Sequence, residues 1–122
     1  MTKICVIGIY VNDIDQALDF YCNKLGFEVA KKYDDGCLVR FENEGPTLIL
    51  EKVEEPSNAK YPQTSQVALG IETKNLEETA NRLREMNVDF LHDTPQPFPA
   101  GIFMAIRDPS GNVLELLQFE AD

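Results

Sequence analysis

The chain has 122 residues and 13.8 kDa, with 43% hydrophobic and 26% charged residues, which suits one soluble globular domain or two small modules sharing a core. A net charge of −10, from 11 basic and 21 acidic residues, argues against a nucleic-acid partner, which needs clustered Lys and Arg. No apolar run approaches the ~20 residues of a membrane span, and the first residues, Met1 to Val6, lead straight into strand-like sequence, so neither a membrane partner nor a signal peptide is expected.

In chain order, Ile4 to Val11 reads as a strand buried on both faces. Asp13 has the character of a helix N-cap, with Gln16 as its capping-box partner. Ile14, Ala17, Leu18, Tyr21 and Leu25 follow at helical spacing, and Gly26 is the expected left-handed residue after the helix. Strand patterns cover Phe27 to Lys32, Cys37 to Glu42 and Thr47 to Val53, joined by the turn sequences Asp34-Asp35-Gly36 and Glu44-Gly45-Pro46. Polar sequence with Pro56 and Pro62 makes residues 54–65 a linker between modules 1–53 and 66–122.

The second module repeats the grammar. Val67 to Glu72 is strand-like, Asn75 caps a helix with Glu78 as partner, and Leu76, Ala80, Leu83 and Met86 form its apolar stripe. Asn87 takes the place of Gly26. Val88 to Leu91, Ile102 to Arg107 and Val113 to Phe119 read as strands, with the turn Asp108-Pro109-Ser110-Gly111 between the last two. Residues 92–101 hold Pro95, Pro97 and Pro99, which predicts an irregular connection with Gly101 as a hinge. The fold class is therefore α+β, as two tandem βαβββ modules.

Strand parity sets Val6, Gly8 and Tyr10 on one face, and Gln66, Ala68 and Gly70 on the matching face of the repeat. The opposite faces, Ile7-Ile9-Val11 and Val67-Leu69-Ile71, are aliphatic and belong under the helices. Cys5, Cys22 and Cys37 are odd in number and lack CxxC spacing, which fits reduced, buried, inert thiols in a cytoplasmic protein.

Val11-Asn12-Asp13 leading to Phe20-Tyr21, then Leu25-Gly26-Phe27, and the closing run from Asp108 to Leu116 resemble the vicinal oxygen chelate superfamily of glyoxalases, bleomycin-resistance proteins and extradiol dioxygenases. The resemblance covers nearly the whole chain. It implies a curled, cavity-lining sheet with helices outside, a homodimer, and metal ligands on the first and last strand of each module. Those positions are Val6, Ile49, Gln66 and Glu115 here. Val and Ile have no lone pair for a cation, whereas catalytic zinc usually takes three protein ligands. No cofactor is therefore expected, and a divalent metal, if one bound, would have only Gln66 and Glu115 as ligands from the four positions.

Glu115 sits among Leu114, Leu116 and Leu117, where a carboxylate needs a partner. It reads either as an acid/base or ligand anchor, or as a residue satisfied by Gln66 or a tyrosine. Val6, Tyr10, Ile49, Gln66, Phe103 and Glu115 are the candidate ligand-binding residues, although Tyr10 and Phe103, each taken singly, read first as core. Two functions follow from the resemblance. One is metal-independent binding or sequestration of a small organic molecule, with the acidic charge favouring cations. The other is a lyase or isomerase of the glyoxalase I type, with Glu115 moving a proton.

Overall fold

The computed structural model describes residues 1–65 and 67–121. They form two compact units, Met1–Ser57 and a second from Asn58 onward. In the first, β1 (Val6–Val11) is followed by α1 (Ile14–Leu18), β2 (Val29–Tyr33), β3 (Leu38–Phe41) and β4 (Thr47–Lys52). The second holds β5 (Leu69–Glu72), α2 (Leu76–Glu85), β6 (Asp89–Phe90), β7 (Gln96–Phe98), β8 (Gly101–Arg107) and β9 (Val113–Phe119).

The two sheets repeat one topology. Strand order is β1-β4-β3-β2 in the first and β5-β9-β8-β6 in the second, with β7 also paired to β8. In each, the first strand runs parallel to the last and the rest are antiparallel. Gly8 lies opposite Ile49 in one unit and Gly70 opposite Glu115 in the other, so Ile49 and Glu115 occupy equivalent positions.

Both helices start where the caps predict. Asp13 accepts from the Gln16 amide at 3.0 Å, and Asn75 accepts from the Glu78 amide at 3.0 Å. Gly26 (φ 91°) and Asn87 (φ 61°) are left-handed, as expected. The second half of the first helix differs from expectation: Asp19–Lys24 is π-helical, and the Leu25 amide reaches back to the Phe20 carbonyl. This wider turn carries buried Tyr21 onto Phe41, with ring centroids 5.9 Å apart, and buried Phe20 meets the Tyr21 ring edge-to-face at 4.9 Å.

One face of each sheet is the core. Ile9, Val11, Val39, Phe41, Leu48 and Leu50 are buried in the first unit; Met104, Ile106, Leu114 and Leu116 are buried in the second, with Leu76, Ala80 and Leu83 of α2. The other face of β1 is open, which corrects the expectation of burial on both sides: Val6 is 48% and Tyr10 54% exposed. Both edge strands also start later than the pattern implied, at Val6 and Leu69, and Val67 is exposed instead of packed under a helix. The cysteines are free but not buried: Cys5 and Cys37 are exposed and Cys22 is half-buried.

The proline-rich segment is not a hinged loop. β6 and β7 lie along the same edge of β8, opposite Ile106–Arg107 and Gly101–Phe103 respectively. An edge strand needs only one side of its backbone for pairing, so Pro97 is tolerated there. Gly101 is buried, and a Cβ on it would stand 2.0 Å from the Gln118 carbonyl oxygen, so close strand approach explains this glycine. The turn into β9 is fixed by Asp108, which is 4% exposed. Its carboxylate accepts from the Ser110 and Asn112 amides and from Asn112 Nδ2, each at 2.9 Å.

Candidate functional site

Glu115 lies on β9, between β5 and β8, with Gly70 on one side and Ala105 on the other. Leu117 and Phe103 form the next pair along the same face, then Phe119 and Gly101. Small neighbours beside Glu115 leave its carboxylate half-buried rather than walled in.

Its partner is Tyr61, from the turn after Asn58–Lys60, whose hydroxyl donates to Glu115 Oε2. The turn is closed by the Lys60 amide donating to Thr64 Oγ1 at 2.6 Å and by the Thr64 amide donating to the Lys60 carbonyl at 2.8 Å. Burial, the hydrogen bond and the carboxylate's charge together push the Tyr61 hydroxyl up to about 12. Among the alternatives for Glu115, a tyrosine partner is thus present, while Gln66 lies outside the described residues. The segment carrying Tyr61 reads as a polar linker, and its partner is 54 positions away, so no local signal marks this tyrosine.

Phe103 is on the open face and not in the core. Aromatic rings run along it in edge-to-face contact: His92 to Phe103 (5.7 Å), Phe103 to Phe98 (6.2 Å) and Phe98 to Phe119 (5.8 Å). Met104 instead points into the core. The single histidine, His92, has a structural position. The Ala105 amide donates to its Nε2 at 3.0 Å, which places the imidazole proton on Nδ1, 2.8 Å from the Thr94 carbonyl. The ring thus replaces a strand carbonyl between β6 and β7, and both nitrogens are occupied.

In the first unit, Val6, Tyr10 and Ile49 share one sheet face, with Glu51 opposite Tyr10 and Arg40 opposite Ile49. The Tyr10 ring is solvent-exposed and folds back over Gly8, not into the core. Arg40 is exposed, and half-buried Arg107 pairs with Asp89 at 3.8 Å. Burial pushes the Cys22 thiol up, against a smaller downward pull from Lys32; a lysine near this thiol was not apparent from sequence.

A cleft of about 510 Å³ beside α2 is lined by Asn75, Ala80, Arg84, Ile102, Met104 and Gln118. Another of about 530 Å³ in the first unit is lined by Asp13, Leu18, Lys32, Cys37 and Lys52. Of the sequence-predicted site residues that are described, Val6, Tyr10, Ile49, Phe103 and Glu115, none lines either. Among the described residues, no buried side-chain polar atom lacks a partner, so neither cleft presents a buried group awaiting a ligand.

The described ligand positions, Val6, Ile49 and Glu115, offer a metal one carboxylate among them. Val6 and Ile49 supply no lone pair, and one Glu115 oxygen is engaged by Tyr61. No group of three His, Cys, Asp or Glu is suitably clustered among the described residues.

The sequence profile of the Glyoxalase/Bleomycin resistance protein/Dioxygenase superfamily matches residues 3–116. The chain belongs to this superfamily. Among its relatives is Uncharacterized protein YurT of Bacillus subtilis, 30% identical over 131 residues, covering 95% of this chain and 98% of that one. A probable lactoylglutathione lyase of Synechocystis is 27% identical over 121 residues, covering 90% of each chain. The solved structure of TnmS3, an antibiotic binding protein from Streptomyces, superposes with a TM-score of 0.75 at 23% identity, covering 98% of both chains. The chain is thus similar both to an antibiotic binding protein and to a probable lyase, so activity has to be argued from side chains.

Proposed function

We propose that this member of the superfamily binds and sequesters a small organic molecule without a metal, on the open sheet face of the second unit that carries Glu115 and Phe103, with Val6, Tyr10 and Ile49 on the equivalent face of the first unit as a candidate surface of its own. The observation that carries the reading is the donor set. Two ligand positions are aliphatic, and the carboxylate at a third is held by a tyrosine of its own unit. An aromatic row beside one carboxylate suits an amphipathic ligand with an apolar body and one polar head. The antibiotic-binding neighbour supports a small-molecule ligand, and the free thiols fit a cytoplasmic setting. We infer a homodimer as the working assembly.

The likeness to the probable lactoylglutathione lyase supports a second reading, a glyoxalase-type lyase in which Glu115 is the proton carrier. Metal analysis and thermal-shift screening of the chelator-treated protein separate the two. The binding reading expects well under one divalent ion per subunit, and ligands that raise the melting temperature without added metal. One tightly held ion per subunit, with ligand response lost on chelation, would overturn it.

A further inference from the structure

The chemical polarity of the Tyr61–Glu115 pair deepens the binding reading, and the subsite it defines rests on that reading. A phenol has one proton, and Tyr61 commits it to Glu115 Oε2. An ionised carboxylate has none. Any further contact made to this pair therefore meets lone pairs only: those of the Tyr61 oxygen and of the carboxylate. Gly70 and Ala105, the neighbours across both strands, have no side-chain polar atom that could add a donor. The next residues along the face, Leu117 and Phe103, are apolar. We propose that the Tyr61–Glu115 pair is a donor-reading subsite, which takes a ligand's ammonium or hydroxyl group and rejects carboxylates and phosphates.

The rejection has its origin in the same geometry. An acceptor placed against the pair would leave lone pairs facing lone pairs, and an anion would add repulsion from the carboxylate. A ligand that donates there can lay a flat apolar body toward Phe103, which pairs with Leu117 two residues, or ~7 Å, along the strand. Tyr61 also sets the strength of the subsite. Its proton draws on the same carboxylate that the ligand uses, so it competes with the ligand's donor.

Three probes of one shape test this: 2-naphthylmethylamine, 2-naphthalenemethanol and 2-naphthoate, titrated by their fluorescence in ~0.15 M salt, where charges beyond ~8 Å are largely screened. The expected order is ammonium, then alcohol, then carboxylate, with the ammonium at least about tenfold tighter than the carboxylate, the size of one charge-assisted hydrogen bond. Glu115→Gln should reduce that ratio to about threefold or less, because the amide brings donors of its own. The overall charge moves only from −10 to −9 in this variant, so a preference set by the whole molecule's field would survive it. Tyr61→Phe should keep the order and bind the ammonium more tightly. Equal or tighter binding of naphthoate to the unmodified protein, a ratio unchanged in Glu115→Gln, or weaker ammonium binding in Tyr61→Phe would each overturn the subsite while leaving the binding reading standing. No binding of any probe to any folded variant would overturn the subsite together with the planar, amphipathic ligand on which it rests.

Discussion

Tyr61 holds its proton more tightly in the folded protein than a free phenol does, because burial and the Glu115 carboxylate both oppose a phenolate. The linkage has a definite sign. Below pH ~10 the hydroxyl is protonated in folded and unfolded chains alike, and the interaction is fully present. Above it the unfolded chain ionises first, so stability falls as pH rises toward about 12, where the folded hydroxyl ionises too. Urea titrations at pH 9 and pH 11 should therefore show a larger loss of stability in the unmodified protein than in Tyr61→Phe. Equal losses in both would mean that the hydroxyl is not held as described. His92 shows the complementary behaviour of a single residue. It meets Phe103 edge-to-face like a ligand-facing group, yet both ring nitrogens are engaged in closing the gap between β6 and β7.

At the level of elements, α2 is joined to the last strand by one side chain. Gln118 is on the helix-facing side of β9, and its Oε1 accepts from the Leu76 amide at 2.7 Å, next to the Asn75 cap. The first amides of a helix have no partner within it, so both contacts satisfy groups that α2 cannot satisfy alone. Gln118→Leu should lower stability by about 1–2 kcal/mol in chemical denaturation, whereas Gln118→Glu keeps an acceptor, adds a charge that suits a helix N-terminus, and should cost little. Equal effects of the two would dismiss the capping role. What the sequence discloses about such elements depends on distance along the chain. Asp13, Gly26, Asn75 and Asn87 act on residues within a turn of themselves, and their roles were legible. β7 was not, because Pro95, Pro97 and Pro99 signal irregularity unless the strand is known to lie on an edge. The π-helical turn at Asp19–Lys24 serves the packing of Tyr21 on Phe41, a contact between distant segments. At the site, the equivalence of Ile49 and Glu115 could be read from the repeat, while Tyr61 could not, since a carboxylate partner 54 residues away leaves no spacing to detect.

For the whole molecule, apolar exposure and net charge act in opposite directions. β1 and β2 are the edges of the first sheet, and β1 exposes Val6 and Tyr10 while β2 exposes Val29 and Tyr33. Open edges and apolar side chains favour association with a second copy. Each chain nevertheless carries −10, so two chains bring −20 together and repel at long range. Salt distinguishes the two effects, because it shortens the screening length from ~10 Å at 0.1 M to ~3 Å at 1 M while leaving apolar contact intact. Sedimentation at micromolar concentration should therefore find a dimer whose share of the protein grows as salt is raised. A dimer that dissociates with added salt would instead be held by ion pairs, and the exposed apolar side chains would not be its cause. A species of 13.8 kDa alone at every salt concentration would remove the dimer altogether.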